Sequence, residues 1–287
     1  MYDAIVIGAG PAGISASLYL KRSNLNVLVL YCGKSELEKA HKIDNFYGFV
    51  GGIEGSELYE NGIKQAKELG VNVIEKEVID IEITENNMFK VKTSDEKYES
   101  ISVIIATGNK RVKPNIKGIN EFEGKGISYC AICDGFFYRN KNVVVIGNGE
   151  FAVSEANDLK NIANNVKILS NGLDAPNTDE YEVITQKIKE IRGEERAEQI
   201  EFEDGKTIDV DGIFIAQGIA GGIDFAKKIG VLSNNDNLVV NENMETNIKG
   251  LYACGNLTGG LLQVNKAAYE GAKAGLTAVS YIKEVKK

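Results

Sequence analysis

Two cysteines in the run SYCAICDGFF, Cys130 and Cys133, are the residues of this chain best suited to chemistry. The C-x-x-C spacing closes a small ring that opens and re-forms by thiol–disulfide exchange. Such exchange needs one accessible thiolate of lowered pKa and a second thiol able to resolve the mixed disulfide. Asp134 follows directly and reads either as a proton donor to a leaving thiolate or as a turn or cap residue. Half of a zinc site is the rival reading, but structural zinc takes four ligands. Cys32 and Cys254 stand alone and His41 is the single histidine, so a second ligand pair is missing and no metal is expected. Inert buried thiols are the other alternative. Cys32 and Cys254 themselves read as small buried packing residues, and His41 as a surface or cofactor-edge residue, not a base.

Two glycine loops are the second source of chemistry. In Gly8-Ala9-Gly10-Pro11-Ala12-Gly13, Gly8 permits a tight turn, Gly10 lets backbone approach a pyrophosphate, and Gly13 lets helix pack on strand. The helix N-terminus then faces the anion. A pattern of this kind between an apolar run and a helical one, in the first fifteen residues, predicts a nucleotide site. The carboxylate usual at the end of the next strand is replaced by Tyr31, which stacks on adenine or merely caps the strand. A second loop, Gly147, Gly149 and Ala152 in VVVIGNGEFA, keeps the glycine spacing.

The elements that must position these groups follow from periodicity. YDAIVIGAGPAGISASLYLKRSNLNVLVLY reads strand, glycine turn, helix, strand, and NVVVIGNGEFAVSEANDLKNIANNVKILS repeats the scheme. The expected fold is α/β, with two Rossmann-like domains of the FAD/NAD(P)-binding type, the second inserted in the first. KYESISVIIATG reads as a strand running into a turn, followed by the linker-like NKRVKPNIKG. GIFIAQG and LYACGNLTGG supply later strands, and the alanine-rich end from Asn265 a C-terminal helix with basic residues in its last turn. The expected boundaries are 1–113 with 241–287 for the first domain and 114–240 for the central one.

With 287 residues, 43% hydrophobic and 26% charged, the chain suits about two globular domains. A formal net charge of −8 disfavours nucleic acid as a partner. No stretch reaches the length of a membrane span and the N-terminus has no basic leader, so no membrane association and a cytoplasmic location are expected.

The motifs GAGPAG at 8–13, IDNFYGF at 43–49, ATG at 106–108, CAICDG at 130–135, GNGEFA at 147–152 and YACGN with QV at 252–264 resemble the low-molecular-weight thioredoxin reductase family over nearly the whole chain. The resemblance implies FAD in the first domain, a redox-active CxxC on the central one, thioredoxin as substrate and a homodimer. It implies FAD contacts from Gly8, Gly10, Pro11, Ala12 and Gly13 at the pyrophosphate, and from Asn45 near the flavin. Val78 would approach adenine, Ala106, Thr107 and Gly108 the cofactor's edge, and Gly255, Asn256, Gln263 and Val264 the ribityl and ring region. Cys133 would face the flavin, Cys130 would attack the thioredoxin disulfide, and Asp134 would protonate a leaving thiolate. Several positions depart from the family pattern: Asn256 replaces an aspartate, Tyr47 a common proline and Leu262 a common arginine.

The second loop departs further. A 2′-phosphate needs guanidinium forks, and the family's basic cluster after the next strand is replaced by Ser170 and Asn171, with Asp174, Asp179 and Glu180 beyond. Phe151 stands where a small hydroxyl residue is common, with a ring able to obstruct the pyrophosphate path. NADPH is therefore not expected. The losses resemble those of the clostridial ferredoxin-dependent flavin thioredoxin reductases, whose donor is reduced ferredoxin. An acidic ferredoxin would need a basic face, for which Lys110, Arg111, Lys113 and Lys117 are candidates. The acidic run EIRGEERAEQIEFED reads as a solvated face. Three other readings stay open: an NAD(P)H-dependent reductase with an atypical pocket, a flavin-dependent dithiol oxidase, and a redox-sensitive binding module without turnover.

Overall fold

A computed structural model describes residues 1–108, 113–218, 221–234 and 237–287. The chain forms two compact units, Met1–Lys110 with Gly221–Lys287, and Arg111–Ala220.

In the first unit the run Asp3–Ile7 is buried along its whole length, as a strand covered on both faces requires. It lies at the centre of a parallel sheet, beside Val27–Tyr31 on one side and Lys97–Ile105 on the other. Asn72–Glu75 extends the sheet beyond Val27–Tyr31, and Leu251–Ala253 beyond the end of Lys97–Ile105. Lys97–Ile105 is shared. Its first residues pair antiparallel with Phe89–Thr93, which pairs with Val78–Ile83, whereas Val103–Ile105 pairs with Leu251–Ala253. The crossover reverses next to Tyr2–Ile7, so the crevice beyond Ile7 and Ile105 is the topological switch point at which doubly wound sheets bind ligands.

Helix Pro11–Arg22 packs against the long C-terminal helix Val264–Val285. The approach is backbone-close: a Cβ added at Gly271 would meet the Ala12 oxygen at 2.0 Å, and one at Gly275 the Ala16 oxygen at 2.7 Å. These glycines, four apart, give the helix a flat stripe against Ala12 and Ala16.

The second unit repeats the scheme. Its parallel strands run in the order Glu182–Ile184, Asn165–Leu169, Asn142–Ile146, Gly212–Ile215, Ile127–Ser128, with an antiparallel meander Ile188–Arg192, Gln199–Phe202, Thr207–Asp209. The return to the first unit comes earlier than the expected 240. Helix Gly222–Lys228 already packs on strand Val78–Ile83, and the Gly222 amide donates to Thr107 Oγ1 at 3.0 Å. The acidic run is a solvated face at Glu194, Glu195, Glu198, Glu203 and Asp204, which are exposed, but not at two of its members. Glu190 and Glu201 are buried in the meander, where Arg192 bridges both and Lys189 reaches Glu201. Among the described residues no helix is long and apolar enough to cross a membrane.

Candidate functional site

The first loop is built by contact. Gly8 has φ +112°, and a Cβ there would lie 2.3 Å from the Ala106 oxygen; at Gly13 it would lie 1.9 Å from the Gly8 oxygen. Gly10 is different: nothing stands within 4 Å of its would-be Cβ. Gly10 also caps helix Pro11–Arg22 with no side-chain hydrogen bond, and Pro11 occupies the first turn. The first amides of the helix, among them Ala12 and Gly13, therefore face an open cradle whose partial positive charge suits an anion. A dinucleotide pyrophosphate fits these residues, which is the fit FAD requires.

The neighbouring strand ends converge on the same crevice. The Ala106 amide donates to Ile7 O at 2.8 Å and Cys254 to Ile105 O at 3.1 Å. Gly255, φ +79°, sits so close to Ala12 that an added Cβ would be 3.0 Å from the Ala12 methyl. Thr107 is fixed by Gly222 and donates to Gly108 O. Tyr31 is half-buried at the end of its strand, its phenol pushed up by burial and then by Glu75. Val78 is buried at the start of its strand. Asn45 donates to Gln263 Oε1 at 3.0 Å and accepts, through its carbonyl, from Asn265. These contacts bring together two expected residues far apart in sequence, with Val264 opening the helix beside them.

Two residues of helix Val264–Val285 that hold the Gly255–Thr258 loop were not anticipated from sequence. Glu270 accepts from the Gly255 amide at 2.9 Å and from Thr258 Oγ1 at 2.9 Å, while Lys266 Nζ donates to Gly255 O and Thr258 Oγ1 and pairs with Glu270 at 3.1 Å. One helical turn thus staples the loop that carries Asn256. The signal, an i,i+4 Lys–Glu pair, is common on any helix. Burial drives the neighbouring Cys254 thiol strongly upward, with Glu270 adding to it. Cys32, expected to be buried, is exposed, because it lies just past the strand end at Tyr31.

In the second unit Cys130 and Cys133 form a disulfide across the turn Ala131–Asp134. Cys130 is buried at 6% exposure, whereas Cys133 is exposed. The Cys133 amide points at Cys130 Sγ, 3.2 Å away. Asp134 accepts from Ser128 Oγ at 2.6 Å, and the same hydroxyl accepts from the Cys130 amide at 3.1 Å. Glu155, 1% exposed, accepts from the Ala131 amide at 2.7 Å. Neither Ser128 nor Glu155 was singled out by motif: one lies outside C-x-x-C, and the other sits within a helix, where glutamate is ordinary.

The second glycine loop keeps its backbone. A Cβ at Gly147 would lie 2.1 Å from the Ala216 oxygen, matching Gly8 against Ala106, and Gly149 is again an uncapped, extended N-cap. Its surroundings differ. Glu150 puts a carboxylate in the first helical turn, where it offsets the helix's positive end. Phe151 is 3% exposed, so its ring belongs to packed interior and does not project from the loop into solvent. Past strand Asn165–Leu169, Ser170 is buried and donates to Leu173 O at 2.6 Å, Asn171 accepts from the Ile188 amide at 2.9 Å, and Gly172 bonds Thr185. Side chains at this turn are committed to closing it, and Asp174, Asp179 and Glu180 beyond are exposed. Of the basic candidates, Lys110 and Arg111 lie outside the described residues. Lys113 is paired with Glu123, and Lys117 with Glu190 at 2.6 Å.

Residues 2–271 match the pyridine nucleotide-disulphide oxidoreductase family. The chain belongs to that family. A thioredoxin reductase of Listeria monocytogenes is 31% identical over all of this chain and 95% of its own. Among solved structures, the atypical thioredoxin reductase TRi from Desulfovibrio vulgaris Hildenborough superposes with a TM-score of 0.89 at 38% identity, covering 99% of each chain. A ferredoxin-flavin thioredoxin reductase from Clostridium acetobutylicum gives a TM-score of 0.67 at 32% identity, covering 100% of this chain and 99% of that one. This pyridine nucleotide-disulphide oxidoreductase is therefore a homologue of thioredoxin reductases, a family for which FAD is the implied cofactor.

Proposed function

We propose that the protein reduces thioredoxin through Cys130 and Cys133, with FAD as cofactor and reduced ferredoxin, not a nicotinamide nucleotide, as electron source. The observation that carries the choice of donor is the turn Ser170–Leu173. Ser170 and Asn171 bond within and across the turn, the turn itself carries no cation, and Lys187, whose stem packs on Gly172, is paired with Glu203. The glycine loop before it is retained without that grip.

Gly8–Gly13, Ala106–Gly108 and Gly255–Asn256 would hold FAD, with Asn45 and Gln263 beside it. Bound there, FAD supplies a relay between one-electron donors and a two-electron disulfide. Two reduced ferredoxins give up one electron each; with two protons they convert the Cys130–Cys133 disulfide to two thiols. One thiolate then attacks the thioredoxin disulfide, a mixed disulfide forms, and the second thiolate displaces reduced thioredoxin as Cys130–Cys133 re-forms. We assign the attack to Cys130 and proton transfer to Asp134, whose carboxylate is linked through Ser128 to the Cys130 backbone.

A second reading, an NAD(P)H-dependent reductase, is favoured by the intact backbone at Gly147 and Gly149 and by the thioredoxin reductase relatives. An anaerobic assay of thioredoxin reduction with reduced ferredoxin, NADPH and NADH supplied separately tells the two apart. Turnover with ferredoxin alone supports the first; turnover with a nucleotide alone replaces it with the second.

A further inference from the structure

The helix that begins at the second glycine loop, Glu150–Leu159, does more than follow that loop. Glu155 lies on its buried face and reaches the first amide of the redox turn, the Ala131 N–H next to Cys130. Short helical turns stabilise a thiolate at their N-terminus through free amides. Here one such amide is already engaged by a carboxylate, and among the described residues the Cys133 amide is the one directed at Cys130 Sγ. Cys130 is buried, so a charge close to it acts through little water.

We propose that Glu155 is a positioning residue for the dithiol. It fixes the redox turn through the Ala131 amide, and as a carboxylate it disfavours a Cys130 thiolate held in the turn, keeping the Cys130–Cys133 couple strongly reducing; Cys130 attacks once the opened turn has carried it away from Glu155. Opening the disulfide takes up two electrons and two protons, or one proton where Cys130 remains a thiolate. A neighbour that opposes the thiolate therefore lowers the potential, just as one that stabilises the reduced form raises it. The second glycine loop gains a purpose that needs no nucleotide: it launches the helix that carries Glu155. The proposal rests on the dithiol reading above and is independent of the electron donor.

Other charged or titratable groups near the turn are Asp134, Tyr129 with Lys113 over its ring, Arg139 over Phe136, and Tyr138, with Lys141 over its ring and a phenol raised by burial and then by Asp134. All stay unchanged in the test. The holoenzyme and its Glu155→Gln, Glu155→Asp and Glu155→Ala variants are equilibrated anaerobically with dithiothreitol buffers, and the dithiol fraction is read by alkylation and mass. Gln keeps an acceptor for Ala131 and loses the charge, so its equilibrium is expected to move at least about tenfold toward the dithiol, about 30 mV. The pH midpoint of Cys130 alkylation should fall with it. Asp keeps the charge and should lie nearer the wild type than Ala does. A Gln variant whose equilibrium and midpoint match the wild type overturns the proposal; if Gln does not fold, equal values for Asp and Ala do so. A wild-type disulfide that neither dithiothreitol nor the far stronger reductant dithionite opens in the folded protein would instead refute the dithiol reading itself.

Discussion

Cys133 is the exposed sulfur and Cys130 the buried one, yet the role of attacking thioredoxin falls to Cys130 in our proposal. The two are reconciled if opening the disulfide frees the turn enough to uncover Cys130. Cys133→Ser should then accumulate a stable mixed disulfide with thioredoxin through Cys130, seen by mass spectrometry, and Cys130→Ser should not; the opposite pattern would exchange the roles. The free thiols give a pH test. Burial, then Glu77 and Glu75, raise the Cys32 thiol, so less thiolate is present at any pH near neutrality than in a free cysteine. Alkylation of exposed Cys32 by iodoacetamide at pH 8 should be slower than that of free cysteine and should rise across a higher pH range. The residues that sequence left unseen were hidden in two ways. Glu155, Lys266 and Glu270 act through backbone amides and carbonyls of other segments, whose nearness only folding brings about, and Ser128 acts through the Cys130 amide two residues on, from outside the C-x-x-C spacing.

The elements were more legible, because each glycine loop stands between an apolar run and a helical one. What periodicity could not give was the return point. Helix Gly222–Lys228 is short and opens on glycines, so its sequence looks like a loop, and only its packing on Val78–Ile83 assigns it to the first unit. Glu190 and Glu201 depart from the run's exposed face for a related reason: in the meander these two side chains turn inward, where Lys117, Lys189 and Arg192 pair with them. The contact between helices Pro11–Arg22 and Val264–Val285 carries a prediction at this scale. Gly271→Val places carbon where the Ala12 oxygen is 2.0 Å away and should destabilise the protein by at least about 1–3 kcal/mol, the usual cost of overpacking. It should also loosen FAD, since Ala12 belongs to the cradle. Urea unfolding and cofactor content of the purified protein check both; an unchanged midpoint would mean that the helices part without cost.

At the scale of the whole molecule, two units of one design serve two ends. Each keeps an open glycine at the mouth of its loop, Gly10 and Gly149, but the first has donors around it while the second's turn at Ser170–Leu173 closes on itself. The difference lies in side chains, not in topology, which is why the family follows from the fold and the electron donor does not. Lys113 and Lys117 are engaged with Glu123 and Glu190, so the ferredoxin docking that we propose needs more than those two lysines. The most direct measurement is anaerobic stopped-flow absorbance of the bound flavin after mixing with each donor. Rapid bleaching by reduced ferredoxin, with no change under NADPH or NADH, is the predicted result; rapid bleaching by either nucleotide would contradict it.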